Sequence, residues 1–503
     1  MTQSAEETLE PGTEIFVRAL QARDPRFDGI FFVGITSTKI YCRPICPARV
    51  SHPEHRRFFA TAAAAERAGY RPCRRCRPEL APGRSLVYAV PRLAEAAARR
   101  IAAGALNDRS VKELADELCV SERHLRRALR AAFGVSPVEL AQTHRLLLAK
   151  RLLTDTTLPV SQVAYASGFR SLSRFNAVFR ERYRMAPTDL RRNGAERPAP
   201  DGEMLRLTLS YRAPFAWDAL LATLGRECVA GVEFVDGRRY GRTVSIDGHV
   251  GVVFVADAAA DRRRSARSGA SHVCVAISGS LVPVLMPLIA RLRQLLDLDA
   301  EPAVIDECLS RGGLEALVAG KPGVRMPGSF DGFEAGLRVL LRGGLARPRG
   351  ADPAAVVAQE LGEPIVTGVP GLTHLAPSPD RVAEAGADRL IPLGVPRRKA
   401  HAAVALARAV AGGTVSLVPG SDVAATRRAL AELPGVDDPL ATLIVMRTLS
   451  WPDAFPAEDR TLQRAAGAPD TAALRARARA WRPWRAYAAT RLWLGHTSFD
   501  PTN

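Results

Sequence analysis

The periodicity of apolar and polar positions divides the chain into four stretches. Residues 15–80 include the strand-like run GIFFVGITSTKIYC. Apolar residues recur at helical spacing from residue 88 to about 192, and residues 204–280 alternate in strand fashion around one helix-like run. Helical spacing returns from about residue 281 to the end. The pattern predicts a multidomain protein with a small α+β domain, an all-α domain, an α+β module and a second all-α domain.

Two short segments rich in Pro, Gly and polar residues separate these stretches and predict linkers at 80–85 and 193–203. A length of 503 residues agrees with several domains of about 100–200 residues each. A hydrophobic content of 47% and a charged content of 24% are typical of folded globular domains and argue against widespread disorder. The predicted domain boundaries are 12–82, 86–192, 204–280 and 281–497, with the 193–203 linker in between.

The net charge of +18 favours a polyanionic partner, either nucleic acid or an anionic membrane surface. Most of this charge lies early in the chain, because residues 1–200 hold 34 Lys and Arg against 20 Asp and Glu, a net +14. No run of 18 apolar residues and no signal-peptide pattern are found in the sequence. We therefore expect a soluble intracellular protein with no membrane partner.

Four of the eight cysteines form two closely spaced pairs, Cys42-x3-Cys46 and Cys73-x2-Cys76. Two such pairs can meet at one tetrahedral Zn²⁺ ion, and zinc keeps cysteine deprotonated, which is the nucleophilic form. Spacing alone favours a purely structural zinc site. The arginines around the cysteines favour a reactive site, because guanidinium groups hold phosphate. These arginines are Arg43, Arg49, Arg71, Arg74, Arg75 and Arg77.

The stretches DGIFFVGITSTKIYCRPICPAR and AGYRPCRRCRP closely resemble the N-terminal domain of the Ada methyl phosphotriester repair proteins. The resemblance implies that Cys42 takes a methyl group irreversibly from a methylated DNA phosphate, while the other three cysteines complete the zinc site. Lys39 stands where the family usually has glycine, so it either tightens a phosphate contact or perturbs the turn. The DNA-backbone contacts that the resemblance implies are Thr38, Arg43, Arg71 and Arg75.

Methyl transfer to Cys42 is expected to act as a switch. Zinc with four thiolates carries a formal charge of about −2, which repels DNA. Methylation turns one thiolate into a neutral thioether, which at contact distance reduces the repulsion by on the order of a few kcal/mol, and by less in salt. We therefore expect the methylated domain to bind DNA more tightly than the unmethylated one.

Residues 88–192 contain two helix-turn-helix patterns, with predicted turns at 119–121 and 167–169 and with Ser121 as a helix N-cap. Each second helix has a polar, basic face and an apolar face, as a major-groove reader requires. An ordinary helical bundle is the alternative. The run GFRSLSRFNAVFRERYRMAPTDLR resembles the AraC family, whose paired readers contact adjacent major-groove segments. The candidate DNA contacts are Arg123, Arg126, Ser171, Arg174 and Asn176.

Residues 204–495 resemble AlkA, the 3-methyladenine DNA glycosylase type of the helix-hairpin-helix superfamily. The stretches that carry the resemblance include YRAPFAWDALLATLGRECVAGVEFVDGRRYGRTV and WPDAFPAEDRTLQRA. Base excision needs a carboxylate beside the flipped nucleotide, to stabilise positive charge on the deoxyribose as the base departs. The resemblance places this carboxylate at Asp459, next to Glu458, and retains Trp493 in the base pocket.

The hairpin of the C-terminal half departs from the AlkA pattern. Gly435 is kept in LPGVDDPLA, but Asp437 takes the place of the second glycine and Asp438 follows it. Carboxylates at this point oppose the binding of a DNA phosphate. Other family positions are also changed, and a cationic base loses cation–π contacts worth about 0.5–2 kcal/mol each where aromatic residues are missing. These positions are Pro439, Thr223, Leu443, Arg460 and the segment GGLA at 343–346.

Three hypotheses follow. The first is a bifunctional response protein that combines methyl transfer at Cys42, transcription activation and glycosylase activity at Asp459. The second is a methylation-sensing regulator whose AlkA-like half is a non-catalytic scaffold. The third is a zinc transcription factor without transfer chemistry. The first two predict one Zn²⁺ ion, alkylated and operator DNA as partners, RNA polymerase as a further partner, and a cytoplasmic, nucleoid-associated location. No Pro-Cys-His-Arg motif is present, so repair of O6-alkylguanine is not expected.

Overall fold

The structure is a computed structural model that describes residues 13–83, 92–192, 204–257, 271–345 and 350–497. The predicted 193–203 linker lies outside these residues. Contacts divide the chain into two compact units, of which the first contains Met1–Arg212 and Ser278–Ala290. The second contains Ala213–Ile277 and Arg291–Asn503. Each unit is described by itself.

The first unit begins with a small sheet that matches the strand-like run of the sequence. The strand order is β3-β1-β2-β4, in which β1 pairs antiparallel with β2 and β3, and β2 pairs parallel with β4. Aromatic rings from α1 and from the sheet region pack against one another, and the ring centroids of Phe16 and Phe31 are 4.4 Å apart. The elements are α1 Thr13–Ala22, β1 Phe32–Ile35, β2 Ile40–Cys42, β3 Arg56–Phe59, α2 Ala62–Arg67 and β4 Arg71–Pro72.

Seven helices follow in the first unit, and serine side chains define where several of them begin. Ser110 and Ser136 form capping boxes, in which the serine hydroxyl accepts from the amide of a glutamate three residues later and the side chain of that glutamate accepts from the serine amide. The apolar faces of α3–α6 bury Leu114, Leu125 and Leu129 in one core. The helices are α3 Arg92–Ala102, α4 Val111–Glu117, α5 Glu122–Phe133, α6 Pro137–Asp155, α7 Val160–Ala166, α8 Leu172–Tyr183 and α9 Pro187–Arg192, and strand β5 Met204–Ser210 comes after them.

The second unit contains an antiparallel sheet and a helical bundle. Strands β6 to β9 lie side by side in chain order, each antiparallel to the next, and short turns join β6 to β7 and β7 to β8. The elements are α10 Trp217–Glu227, β6 Glu233–Asp236, β7 Arg239–Ile246, β8 His249–Asp257 and β9 His272–Ser278. Buried and half-buried residues alternate along β9, which matches the strand pattern predicted from the sequence.

Helices account for most of the remaining residues, as the sequence predicted. Apolar residues of α14, α15, α17 and α19 form the core of the bundle, in which Val357, Ala403 and Ile444 are fully buried. The helices are α11 Leu285–Leu295, α12 Pro302–Leu309, α13 Glu315–Gly320, α14 Gly332–Arg342, α15 Pro353–Leu361, α16 Pro379–Leu390, α17 Arg397–Ala411, α18 Val423–Ala431, α19 Asp438–Thr448, α20 Arg460–Ala465, α21 Thr471–Arg477 and α22 Arg485–Thr497.

A buried ion-pair network joins the sheet of the second unit to its helices. Arg242 of β7 pairs with Glu334 of α14 at 2.6 Å, and Arg338 of the same helix pairs with Glu233 of β6 at 3.1 Å. All four side chains are almost entirely buried. Removing one partner of such a pair leaves an uncompensated charge and costs about 3–5 kcal/mol, so the network fixes how the sheet packs on this helix.

Candidate functional site

The structure brings the four clustered cysteines to one point. Their Sγ atoms all lie within 4.8 Å of one another, and all four residues are buried. The parallel pairing of β2 with β4 creates this arrangement, because Cys42 ends β2 and Cys73 directly follows β4. The Cys73 amide donates to the Tyr41 carbonyl at 3.0 Å, which extends the pairing to the site. Two distant parts of the sequence thus supply one cluster.

Hydrogen bonds distinguish Cys42 from the other three cysteines. The Arg43 amide donates to Cys76 Sγ at 3.3 Å. The pKa of Cys46 is lowered to about 7, first by its hydrogen bond with Cys42 and also by a backbone hydrogen bond from Ala48. Hydrogen bonds from the neighbouring thiols lower the pKa of Cys73, and the backbone of Cys76 contributes in the same direction. Among the described residues no backbone amide donates to Cys42 Sγ, in contrast to Cys76.

Arg43 lies inside the zinc domain and not on its surface. Its side chain is only 4% exposed, and it forms two bonds to the Asp28 carboxylate, the one from Nε measuring 2.8 Å. Its Nη1 donates to the Cys76 carbonyl at 3.0 Å. This position corrects the expectation that Arg43 contacts DNA, because a buried guanidinium saturated by internal acceptors is not available to a phosphate. Arg43 instead ties the cysteine loop to Asp28.

The other backbone-contact candidates of this domain remain accessible to different extents. Thr38 and Arg75 are exposed, and Arg71 is half-buried. Lys39 has a φ of 52°, in the left-handed region that favours glycine, which explains why glycine suits this position. The turn is kept, because the Lys39 amide donates to Ile35, and the ammonium group lies 5.1 Å from the centre of the Tyr70 ring.

A buried glutamate that sequence reasoning missed connects the zinc domain to the helical reader within the first unit. Glu66 of α2 accepts hydrogen bonds from Tyr41, next to Cys42, at 3.1 Å and from Thr143 of α6 at 2.9 Å. Arg182 of α8 donates to the Glu66 carbonyl at 2.8 Å. Burial raises the pKa of Glu66 to about 7. Its place in an alanine-rich run gave no signal of this role.

The two helix-turn-helix patterns are present at the predicted positions. The turn before α5 contains Cys119 with a φ of 54°, and Ser121 caps α5 by accepting from the His124 amide at 3.2 Å. In the second pattern, Gly168 adopts a φ of 83°, and Asn107 leaves no room for a Cβ there. The predicted turns at 119–121 and 167–169 are confirmed by this geometry.

The candidate base- and phosphate-contacting residues of the readers differ in how free they are. Arg123 and Arg174 are exposed on α5 and α8, whereas Arg126 pairs with Glu122 one turn earlier at 2.5 Å. Ser171 is the N-cap of α8, since its hydroxyl accepts from the Arg174 amide at 3.3 Å. Asn176 is half-buried. Arg123 and Arg174 are therefore the most accessible members of the set.

In the second unit, the structure brings the side chains of Asp459 and Trp493 into contact. Asp459 is the N-cap of α20, and its Oδ1 accepts from the Leu462 amide at 2.8 Å. The indole Nε1 of Trp493, on α22, donates to the same oxygen at 3.4 Å. Both bonds end on Oδ1, and the described residues give no hydrogen bond to Oδ2. The carboxylate is thus fixed through one oxygen and open at the other, while neighbouring Glu458 pairs with Arg475.

The hairpin carboxylates serve the fold of the hairpin itself. Asp437 is the N-cap of α19 and accepts from the Leu440 amide at 3.0 Å, and Pro439 occupies the first turn. Asp438 pairs with Arg427 of α18 at 2.6 Å. A capped helix start has fewer free amides to offer a phosphate. The hairpin therefore stabilises itself with the groups that usually face DNA.

Two other changed positions belong to the protein interior. The Thr223 hydroxyl donates to the Ala219 carbonyl at 2.9 Å within α10 and is buried. Leu443 of α19 packs against the core of the bundle. Residue 346 of the GGLA segment lies outside the described residues.

Comparison with known proteins agrees with this geometry. Three family profiles match the chain: the metal binding domain of Ada at residues 16–79, a helix-turn-helix domain at residues 114–193, and the AlkA N-terminal domain at residues 206–331. A Mycobacterium tuberculosis protein named "Probable bifunctional transcriptional activator/DNA repair enzyme AlkA" is 36% identical over 485 residues, 95% of each chain. The chain belongs to this bifunctional Ada–AlkA family.

Two further relatives match the two halves of this family separately. The DNA-3-methyladenine glycosylase 2 of Escherichia coli is 30% identical over 57% of this chain and 96% of its own length. The bifunctional transcriptional activator/DNA repair enzyme Ada of Escherichia coli is 34% identical over 27% of this chain and 36% of its own length. The multidomain fold predicted from the sequence is thereby confirmed.

The cysteine cluster fits the zinc ion that Ada domains bind. Four thiolates at about 2.3 Å from a tetrahedral Zn²⁺ lie about 3.8 Å from one another, which agrees with separations below 4.8 Å. Hydrogen bonds to Cys46, Cys73 and Cys76 raise the pKa of Cys42 far above its usual range. A bound divalent cation would stabilise all four sulfurs as thiolates. Among the described helices, none is both long and apolar enough to cross a membrane.

Proposed function

We propose that this Ada–AlkA family member transfers methyl groups from DNA methyl phosphotriesters to Cys42 and that its methylated form activates transcription. The observation that carries the proposal is the cysteine cluster: four buried Sγ atoms lie within 4.8 Å of one another, and the Arg43 amide donates to Cys76 Sγ whereas none of the described amides donates to Cys42. A hydrogen bond to a thiolate withdraws electron density, so Cys42 is more nucleophilic than Cys76, and the family resemblance makes Cys42 the methyl acceptor.

The transfer is a single displacement at carbon. A lone pair of Cys42 Sγ forms a bond to the methyl carbon while the bond between that carbon and the phosphate oxygen breaks. The bonding electrons stay on the oxygen, which restores an anionic phosphodiester, and Cys42 becomes a neutral thioether. Bound zinc supplies the deprotonated form of the four cysteines. Exposed Arg75 and half-buried Arg71 position the DNA backbone beside the sulfur.

The signal follows from charge. Conversion of a thiolate to a thioether removes one negative charge beside the DNA, so the backbone is repelled less and the zinc domain binds more tightly. The reader helices α5 and α8 then select the operator through Arg123 and Arg174. We place the protein with the chromosomal DNA in the cytoplasm, and RNA polymerase is the partner that a transcription activator implies.

Mass spectrometry after incubation with methylated DNA tests the transfer. The full chain is expected to gain one methyl group, located on Cys42, and the Cys42→Ser variant to gain none. Cys119→Ser is the control, because Cys119 is exposed and lies outside the cluster. Methyl uptake by Cys42→Ser equal to that of the wild type contradicts the assignment. Unchanged operator affinity after methylation of the wild type contradicts the switch.

We propose that the second unit excises alkylated purines and that Asp459 is its catalytic residue. As the glycosidic bond breaks, its electron pair leaves with the base and positive charge develops on the deoxyribose. The free Oδ2 of Asp459 stabilises this charge, and a water molecule completes the hydrolysis. The capping bond to Leu462 and the bond from Trp493 hold the carboxylate in place through Oδ1. Alkylated purines are already cationic, so this stabilisation is sufficient for their release.

Release of 3-methyladenine and 7-methylguanine from alkylated DNA tests this half. Asp459→Asn is expected to lose release while it keeps the helix cap, because asparagine caps as well as aspartate. Asp470→Asn is the matched control, since Asp470 is an exposed N-cap that accepts from the Ala473 amide at 2.8 Å. Release that persists in Asp459→Asn refutes its role. If the wild type releases no base, the alternative of a non-catalytic scaffold, favoured by Asp437, Pro439 and Leu443, replaces the glycosylase.

A further inference from the structure

The C-terminal half needs a surface that holds the DNA backbone, and its hairpin is poorly suited to this task. Asp437 occupies an amide at the start of α19, and Asp438 presents a second carboxylate paired to Arg427. Each carboxylate repels a nearby phosphate, by about 1 kcal/mol in water at 4 Å and by more where water is excluded. The phosphate contacts of this half must then come from another place.

Exposed arginines lie beside Asp459 instead. Residues 458–479 contain five arginines against three acidic residues. Arg460 is the first residue of α20, and Arg464 lies one turn later, so both are on one face of the helix. Both are exposed, and Asp459 caps the same helix. Charge complementarity makes this face a match for a phosphate backbone.

The contacts around α20 pair one acidic neighbour, Glu458, and leave these two arginines available. Arg475 pairs with Glu458, and Arg477 donates to the Ala466 carbonyl at the end of α20. Among the described residues the Arg460 guanidinium has no partner, and Arg464 has only a 3.4 Å bond from Nε to the Arg460 carbonyl. We call Arg460, Arg464, Arg475 and Arg477 the arginine patch.

We propose that Arg460 and Arg464 of this patch bind the DNA phosphates that flank the nucleotide flipped toward Asp459, in place of the hairpin. The proposal rests on the proposed function of the C-terminal half, because it takes Asp459 as the point that the damaged nucleotide reaches. It also gives Arg460 a function at a position where an aromatic residue would otherwise stack on the base. Base recognition is then carried by Trp493 and not by residue 460.

Binding of the full chain to a short duplex with a central abasic-site analogue, compared with the same duplex undamaged, tests the proposal. Neither duplex contains an operator or a methyl phosphotriester. The Arg460→Ala/Arg464→Ala variant is expected to lose preference for the damaged duplex. In a plot of log affinity against log salt concentration, the slope of this variant is expected to be about 1.8 shallower than that of the wild type, because each lost phosphate contact reduces the slope by about 0.9. Between about 50 and 200 mM salt, its affinity therefore falls about tenfold less than that of the wild type.

Three controls make the outcome specific. Arg381→Ala/Arg389→Ala removes two charges from exposed positions of α16 and is expected to retain the preference within twofold. Asp437→Asn keeps the cap and is expected to leave affinity within twofold of the wild type. A methylphosphonate linkage next to the lesion, which removes one phosphate charge and carries no transferable methyl ester, weakens binding of the wild type and has no effect in the arginine variant.

The results that overturn the proposal are distinct from those that overturn the glycosylase. An arginine variant that keeps the damage preference and the salt slope of the wild type refutes the role of the patch. An Asp437→Asn variant that changes affinity more than the arginine variant does assigns the contact to the hairpin and refutes it as well. A wild-type chain without preference for the damaged duplex refutes this inference, while release of alkylated bases by the same chain decides the glycosylase separately.

Discussion

Arg43 gives the sharpest test of what the structure adds to the sequence, because family resemblance makes it a DNA contact and the structure makes it an internal support. The Arg43 and Asp28 side chains are 4% and 6% exposed. Removing one partner of a buried pair costs about 3–5 kcal/mol, since the other charge is left without compensation. Arg43→Met also leaves the Cys76 carbonyl without its donor at 3.0 Å.

This loss is expected to appear as faster release of zinc. If the opening of the cysteine loop becomes easier by about 3–5 kcal/mol, the rate of zinc release rises by about 160- to 5,000-fold, because each 1.36 kcal/mol is a factor of ten. The assay is the release of zinc from the full chain to a chromogenic chelator. Arg49→Met is the control, because Arg49 is an exposed arginine of the same loop region. It is expected to release zinc at the wild-type rate.

A double-mutant cycle separates the pair from its surroundings. Asp28→Asn and Arg43→Met together are expected to cost less than the sum of the two single changes, by about 1–3 kcal/mol, because the partners interact directly. An Arg43→Met variant that holds zinc like the wild type, while its DNA affinity loses about one unit of salt slope, refutes the reasoning. That result would assign Arg43 to a phosphate contact.

Three other predictions follow from the geometry. Burial raises the pKa of Glu66 from 4.5 to about 7, so the folded state binds the proton more tightly than the unfolded state, and the free energy of unfolding falls by up to about 3 kcal/mol as the pH rises between these values. Urea unfolding of Glu66→Gln should lack this fall, and a pH profile identical to that of the wild type would contradict the assignment to Glu66. Ser171→Ala should lower the free energy of unfolding, measured by thermal unfolding, by about 1 kcal/mol, whereas Ser171→Asn should keep both the helix cap and the affinity for operator DNA. An equal loss of operator affinity in both variants would identify the Ser171 hydroxyl as a DNA contact. Trp493→Phe removes a hydrogen bond to Asp459 and should slow base release several-fold in single-turnover assays, and an unchanged rate would show that Leu462 alone positions the carboxylate.

Much of the fold was predictable because it depends on local patterns. The strand-like run before Cys42, the serine caps and the turns at 119–121 and 167–169 are encoded within a few residues, since side-chain periodicity and capping act over one or two turns. The zinc ligands were equally visible, because metal geometry constrains cysteine spacing. Asp459 was proposed as the catalytic carboxylate only through resemblance, because an acidic pair in a loop is usually solvated.

The sequence by itself identified the candidate residues for the chemistry, and the tertiary structure decided which contacts each of them makes. Composition and spacing identify the cysteines and arginines but not which guanidinium is buried, since that depends on packing against Asp28, a residue 15 positions earlier. In the same way, Glu66 became a link between Tyr41 and Thr143 only when α2 packed on α6. Partners far apart along the chain are brought together by burial and hydrogen bonding, which no local pattern records.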